Sequence, residues 1–319
     1  MKTKEFLTRL RVKIIKNNMR QLEKRLLFLL LFSASIFVNG QEVLNLYKDG
    51  KIPNSIKTDN TEIIENGIAK NVSIPQLLVY KPKIENSNKT AVLICPGGGY
   101  SVLVMGRAIE IAEELTKNGV TAFVLKYRLP NDKWIKDKSI APIQDAQRAM
   151  QVIREQYKKW DIDPNKVGVM GLSAGGHLAA SLSYLYDNNF TGENQNINLR
   201  PDFSLLMYPV ITMDTTFAHM GSRTSLLGAN PTMIKQELFS LEKNIKSEAP
   251  PTFILHANDD KTVPIENSLM LYEELRANKV PVDMHIFSSG AHGFNMGIAK
   301  NRWLSLCIEW LSANDYLNK

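Results

Sequence analysis

A serine flanked by glycines, set where an apolar run ends and a helix-forming run begins, restricts this chain to few folds. The stretch is Gly171-Leu172-Ser173-Ala174-Gly175-Gly176-His177. Lys166-Val167-Gly168-Val169-Met170 before it reads as a buried parallel strand, and Leu178-Ala179-Ala180-Ser181-Leu182 after it as a helix. Strand, G-x-S-x-G, helix is the context in which such a serine is a nucleophile. The turn must be very sharp, so the serine backbone is strained and residues two positions away must be nearly free of side chain. Gly171 and Gly175 meet that demand, and Gly176 is expected to let the helix lie close to the strand. The hydroxyl is expected at the exposed tip, with the helix N-terminus aimed at an oxyanion forming on the substrate. An incidental serine in a glycine-rich turn has the same local pattern, so the partners decide.

The first forty residues differ from the rest. Arg20, Lys24 and Arg25 precede Leu26-Leu27-Phe28-Leu29-Leu30-Leu31-Phe32, and small residues lead to Val38-Asn39-Gly40. A basic segment, a short apolar run and small residues form a signal-peptide layout, which predicts cleavage after Gly40 and export to the periplasm or medium. Residues 1–18 then form an N-terminal extension, with Met19 as an alternative start. The competing reading is an uncleaved anchor; the apolar run is short for a span, so no stable membrane insertion is expected after cleavage. No cysteine near the cut offers a lipid attachment point.

The leader also carries the charge. The chain has a formal net charge of +7, but residues 1–40 hold nine of its 39 Lys/Arg and two of its 32 Asp/Glu, which leaves 30 of each. The remainder is formally neutral, so a nucleic-acid partner has no support. Residues 41–319 are enough for a single large α/β domain. The two cysteines, Cys95 and Cys307, fall in apolar runs, which favours buried thiols over a disulfide.

Apolar strands are expected at 76–80, 91–95, 120–125, 203–208, 252–256 and 282–287. Helical spacing falls at Ile109, Ala112 and Leu115, at Ile143, Ala146, Met150, Ile153 and Tyr157, and over Trp303 to Leu311. Strands alternating with helices predict a doubly wound, mostly parallel sheet with helices on both faces. Together with the elbow, they select the α/β-hydrolase fold.

A serine hydroxyl needs a base within hydrogen-bond reach, and in this architecture the chain order is Ser, acid, His. Of the five histidines, His177 opens the elbow helix and is expected to pack or cap there. His219 comes too early, His256 ends a core strand and His285 lies within one. His292, in the Ser288-Ser289-Gly290-Ala291-His292-Gly293-Phe294 loop after the last strand, stands where a base belongs. The acid belongs in the loop after the preceding strand, where Asp259 and Asp260 compete. The Val263-Pro264 turn sets the register in favour of Asp260, leaving Asp259 to brace the loop or face water. The oxyanion hole needs N–H donors after the nucleophile and after an early strand. Ala174 supplies the first and the glycines of Gly97-Gly98-Gly99, chiefly Gly98 and Gly99, the second. The same glycine run as a phosphate cradle lacks a Walker lysine or G-x-G-x-x-G. No metal-ligand spacing or cofactor motif is found, so neither is expected.

The run Cys95-Pro96-Gly97-Gly98-Gly99-Tyr100, the segment Lys126-Tyr127-Arg128-Leu129, the elbow and the His-Ala-x-Asp-Asp-x-x-Val-Pro loop resemble secreted α/β-hydrolase-fold esterases. More narrowly, they are similar to the acetylxylan-esterase-like group of polysaccharide deacetylases, over most of residues 75–315. The resemblance implies a serine esterase that removes acetyl groups from plant or algal glycans, with an acetylated carbohydrate or small ester as its partner. Pro96 replaces the histidine of the related H-G-G-G esterases, which leaves the glycines in place but not any role of that histidine.

Residues 211–250, between two core strands, are where substrate selection is expected. Its His219-Met220-Gly221-Ser222-Arg223 resembles a segment recurring in that group. For His219 and Arg223 the readings are contact with a sugar or, for the arginine, tying a loop to the body. Tyr100 is expected to line the pocket by stacking. The rival functions are a general short-chain carboxylesterase, an exopeptidase on the same triad, and a catalytically silent binding protein on the same fold. A peptidase usually needs an additional sieving domain, for which the chain leaves no room.

Overall fold

Strands that are apolar on both faces must be covered on both faces, and the middle of this protein is built from five of them. In the computed structural model, residues 42–317 are described except 58, 84–87, 193–196 and 295–301. The expected leader, residues 1–40, lies outside the described residues. The strands are β1 (Glu42–Asn45), β2 (Ile63–Glu65), β3 (Ile68–Lys70), β4 (Gln76–Tyr80), β5 (Ala91–Cys95), β6 (Leu103–Val104), β7 (Thr121–Lys126), β8 (Val167–Leu172), β9 (Ser204–Met207), β10 (Thr252–Ala257) and β11 (Val282–Phe287). Every residue of β5, β7, β8, β9 and β10 is buried. The helices used below are α1 (Met105–Lys117), α2 (Ala141–Glu155), α3 (Ala174–Tyr184), α4 (Met220–Leu227), α5 (Met233–Phe239), α6 (Glu266–Ala277) and α7 (Arg302–Ala313).

The main sheet has eight strands in the order β1-β4-β7-β5-β8-β9-β10-β11. From β7 to β11 all neighbours are parallel, whereas β1 and β4 add an antiparallel edge. The chain steps one way from β5 to β7 and the other way from β7 across to β8 and onward. Because parallel crossovers are right-handed, that reversal puts α1 on one face and α2, α3 and α6 on the other. This is the expected α/β-hydrolase, doubly wound arrangement. α7 returns to the face of α1, where the Arg107 guanidinium lies 5.6 Å over the Trp303 ring. The reversal also makes the crevice between the ends of β5 and β8 the switch point at which such sheets bind ligands. A separate three-stranded ribbon, β2-β3-β6, and β1 are absent from the sequence reading. These strands are short and partly exposed, so no apolar period announces them.

Cys95, in β5, and Cys307, in α7, are both buried free thiols, and the Cys307 Sγ lies 3.9 Å from the Met207 Sδ. Their burial raises both thiol pKa values. Among the described residues no helix is long and apolar enough to cross a membrane.

The segment after β7 is fixed by a buried ion pair. Arg128 and Asp145 both have side chains with 0% exposure. The guanidinium donates to Asp145 from Nε at 3.0 Å and Nη2 at 2.8 Å, and to the Pro53 carbonyl from Nη1 at 2.7 Å. The carboxylate also accepts the Arg128 N–H at 2.9 Å and the Tyr47 hydroxyl at 3.0 Å. One pair thereby joins the end of β7, helix α2 and the N-terminal segment. Asp145→Asn leaves a buried guanidinium uncompensated and is expected to lower the unfolding free energy by about 3–5 kcal/mol. Equilibrium denaturation measures it; a loss below about 1 kcal/mol refutes the assignment.

Candidate active site

β8 runs to Leu172, two residues beyond the strand expected from the sequence, and delivers Ser173 directly into α3. Ser173 has φ 55° and ψ −120°, a conformation that L-residues avoid and that tertiary contacts must hold. Its N–H donates to the Met207 carbonyl at 3.0 Å, and its own carbonyl accepts the N–H of Val210 at 3.1 Å and of His177 at 3.2 Å. The close approach that this bend forces explains two of its glycines. A Cβ at Gly171 would stand 2.1 Å from the Gly175 carbonyl oxygen, and one at Gly175 would stand 2.1 Å from that of Cys95. Gly176 behaves differently from the expectation. A Cβ there meets Pro209 at 2.7 Å, so it admits the chain leaving β9 more than its own strand.

Ser173 Oγ lies 2.9 Å from His292 Nε2, and His292 Nδ1 lies 2.7 Å from Asp260 Oδ2. Since the ionised carboxylate only accepts, Nδ1–H is the donor, which leaves Nε2 to accept the serine proton. The Asp260 Oδ1 accepts the N–H groups of Thr262 at 2.8 Å and Val263 at 3.0 Å. Burial alone would raise this carboxyl, but hydrogen bonds from His256, His292 and the Val263 N–H outweigh it and hold the pKa well below the usual carboxylate range. Asp260 is thereby held in its ionised form, placed to stabilise an imidazolium at His292. Asp259 is exposed and accepts the Ala291 N–H at 2.7 Å, bracing the loop that carries His292.

Ser173 lines a pocket of about 380 Å³ with Gly97, Gly98, Gly99, Leu172, Tyr208, His219 and His292. The serine is only 7% exposed, not at an open tip, and the Tyr208 and His292 rings meet in a T-shaped arrangement with centroids 4.9 Å apart. Gly98 takes φ +131°, and a Cβ on it would stand 2.2 Å from the Val102 carbonyl oxygen, so only glycine fits. The loop is tied by Ser101 and Val102 N–H groups to the Gly98 carbonyl, both at 3.1 Å, and by the Tyr127 hydroxyl to the Pro96 carbonyl at 2.9 Å. Among the described residues the N–H groups of Gly98, Gly99 and Ala174 have no backbone acceptor, which leaves them able to donate to a bound group.

Two residues expected at the substrate lie outside the catalytic pocket. Tyr100 is 1% exposed, and its hydroxyl donates to the His177 Nδ1 at 2.8 Å, so it supports the elbow helix from behind the glycine loop. Its bulk and its polar tip are both satisfied inside the core, which leaves no face for stacking. Arg223 is also buried; its Nε donates to the Met213 carbonyl at 3.0 Å and Nη2 to Gln236 Oε1 at 3.1 Å, the loop-tying alternative. His219 does reach the pocket, as the N-cap of α4, with Nδ1 accepting the Ser222 N–H at 3.3 Å. Its Nε2 is then the protonated nitrogen. Burial lowers its pKa, with His292 acting in the same direction.

His256, Tyr208 and Arg107 were missed as site residues. His256 lies in a core strand, one residue before the end of β10, and its Nε2 lies 3.1 Å from the Val263 carbonyl and 3.3 Å from Asp260 Oδ2, while Nδ1 lies 2.7 Å from Ser268 Oγ. The signal was its spacing four residues before Asp260. Tyr208, at φ 37°, and Arg107 line the pocket from a loop and a helix whose sequences carry no motif.

Burial holds the fully enclosed His177 neutral, with its pKa lowered to about 4 although its Nε2 donates to the Phe239 carbonyl at 2.9 Å. A histidine whose folded pKa lies below the unfolded value of about 6.5 favours unfolding when protonated. Stability is thus expected to be full above pH 6.5 and to fall by about 3 kcal/mol towards pH 4 through this group. His177→Gln should flatten that slope in denaturation curves taken across the range; an unchanged slope excludes His177 as its source.

Ser173→Ala and His292→Ala are each expected to abolish ester turnover in folded protein, since the two act as one unit. Asp260→Asn should cost on the order of 10⁴-fold in turnover, because an amide fixes the wrong imidazole tautomer. Asp259→Asn keeps an oxygen for the Ala291 N–H and should cost less than about tenfold, or about 1.4 kcal/mol. Turnover of p-nitrophenyl acetate by matched folded samples checks this, and greater damage from Asp259→Asn reverses the assignment.

Residues 77–275 match the BD-FAE family model. The chain is 36% identical over 225 residues to endo-1,4-beta-xylanase B of Butyrivibrio fibrisolvens, covering 70% of this chain and 35% of that protein. It is 35% identical over 229 residues to an acetylxylan esterase of Xylanibacter ruminicola, covering 70% of this chain and 44% of that protein. The chain thus spans less than half the length of these curated relatives. Among solved structures, an acetyl ester-xyloside bifunctional hydrolase from Caldicellulosiruptor lactoaceticus superposes with a TM-score of 0.74 at 32% identity, covering 87% of this chain and 97% of that one. An α/β-hydrolase by fold, the chain belongs to the BD-FAE family.

Proposed function

We propose that this protein is a serine esterase that removes acetyl groups from an acetylated polysaccharide such as xylan. The observation that carries the reading is the unbroken relay from Ser173 through His292 to Asp260, opening on a small pocket floored by glycine N–H groups. Ser173 Oγ attacks the acetyl carbonyl carbon as His292 Nε2 takes its proton. The carbonyl oxygen becomes an oxyanion facing the N–H groups of Gly98, Gly99 and Ala174, each such donor being worth about 3–4 kcal/mol in the transition state. Collapse expels the sugar oxygen, which leaves with the proton from His292, and acetyl-Ser173 remains. A water then gives its proton to His292 and attacks, releasing acetate and free serine.

Leu172, Val104 and the Tyr208 ring give the pocket apolar walls suited to a short acyl group. His219 Nε2–H and Arg107 supply donors at its edge for a hydroxylated alcohol. The names of the xylan-acting relatives support a carbohydrate as that alcohol. The basic and apolar layout of residues 1–40 supports export, where such a polymer is met.

Acetate release from a panel of acetylated glycans, set beside hydrolysis of p-nitrophenyl acetate, tests the assignment. Acetylated xylan is expected to be deacetylated with a kcat/KM at least about tenfold above that of other acetylated glycans, a difference of about 1.4 kcal/mol. Equal rates on every ester would leave a general short-chain carboxylesterase. EDTA is expected to change nothing, and a loss restored by zinc would oppose the mechanism.

A further inference from the structure

On the far side of the glycine loop from Ser173 lies a second depression, a groove of about 440 Å³. Its lining includes Ser101, Asn131, Asp132, Lys138 and Ser225, with Pro130 and Trp134 as apolar wall. The two depressions adjoin. The position of a Cβ on Gly99 lies 3.7 Å from Ser101 Oγ, which belongs to the groove, and 3.8 Å from His219 Cε1, which belongs to the catalytic pocket. A single residue without a side chain is the ridge between them. Helix α4 runs along both, with its N-cap His219 at the pocket and Ser225 at the groove. Six residues of helix span about 9 Å, a distance covered by a few linked sugar rings.

The groove differs in chemistry from the pocket beside it. The catalytic pocket is mostly apolar, as a small acyl group requires, whereas the groove presents hydroxyl, amide, ammonium and carboxylate groups next to a proline and an indole edge. Of its charged groups Lys138 and Asp132 are paired, Nζ to carboxylate at 2.7 Å, while Lys133 adds a further ammonium. Such a surface suits a polyhydroxylated ligand better than an acyl chain. Its wall is also held in place before any ligand arrives. The Ile56 N–H donates to the Trp134 carbonyl at 2.8 Å, Lys136 N–H to the Asn54 carbonyl at 2.9 Å, and Lys235 Nζ reaches Asp137 at 2.8 Å. Preorganisation of this kind lowers the entropic cost of binding. Trp134 is 7% exposed, and among the described residues its indole N–H has no acceptor.

We propose that this groove is a second saccharide subsite, which holds the sugar units next to the one whose ester is cleaved. The inference rests on the acetyl-glycan esterase reading and adds that the enzyme reads a chain rather than a single sugar. Chain binding here orients the acetylated ring so that its ester crosses the Gly99 ridge into the pocket.

The test compares acetylated xylose, acetylated xylotetraose and p-nitrophenyl acetate as substrates. For the wild type, kcat/KM is expected to rise about tenfold from the monosaccharide to the tetrasaccharide, the effect of one or two added hydrogen bonds. Ser225→Trp, which fills the groove, and Asn131→Ala, which removes a groove amide, should each cut the ratio of tetrasaccharide to p-nitrophenyl acetate kcat/KM by about tenfold. Equal efficiency on the monosaccharide and the tetrasaccharide, or an unchanged ratio in both variants, overturns the subsite while the esterase reading stands. Absence of activity on either acetylated sugar, with p-nitrophenyl acetate still cleaved, removes the glycan reading instead. The subsite is then decided by titrating unacetylated xylotetraose into Ser173→Ala and into Ser173→Ala with Ser225→Trp. Binding that the tryptophan abolishes supports it, and binding that is absent or unaffected overturns it.

Discussion

The site depends on how closely the elbow helix lies against the end of β5. Gly175 rests under the carbonyl oxygens of Cys95 and Pro96, at distances no Cβ could tolerate. That contact fixes the start of α3, and hence Ser173, relative to the glycine loop that follows Pro96. Ser173 and the glycine loop therefore follow strands adjacent in the sheet, β8 and β5, though they are far apart in sequence. Their helices leave on opposite faces, which opens the crevice in which an ester can lie between them. A side chain at Gly175 would push apart the two halves of one catalytic device.

The acid is positioned by a comparable concentration of contacts. Asp260 has its two oxygens divided between backbone and imidazole donors, with His256 behind it and His292 in front. His256 is in turn held by Ser268 at the start of α6. The carboxylate is thus oriented by groups from the strand before it and the helix after it, and its ionised form is preferred because every donor stabilises the charge.

Much of this was legible in the sequence because it is local. The elbow, the Gly97–Gly99 run and the Asp260 register before Val263 are short patterns imposed by backbone geometry, and the buried strands show as unbroken apolar runs. The places of Tyr100 and Arg223 were not legible. Each is a polar group whose partner, His177 in one case and Met213 with Gln236 in the other, is chosen by tertiary packing. A tyrosine after three glycines looks the same whether its hydroxyl faces a substrate or a buried imidazole. The separate ribbon β2-β3-β6 escaped for another reason: short strands with exposed faces lack the period that marks a strand. Tyr208 shows a third limit, since it combines a positive φ with an N–H that reaches across to the Leu255 carbonyl, which no propensity encodes.

The two thiols carry a consequence for how the protein matures. Cys95 is sealed within the central sheet and Cys307 within the last helix, and both remain reduced. The described fold thus needs no disulfide to close it. The same burial makes each sulfur a silent witness to opening of the core. An alkylating reagent reaches Cys95 only when β5 leaves the sheet, and Cys307 only when α7 lifts away, so their labelling rates would time the two events separately.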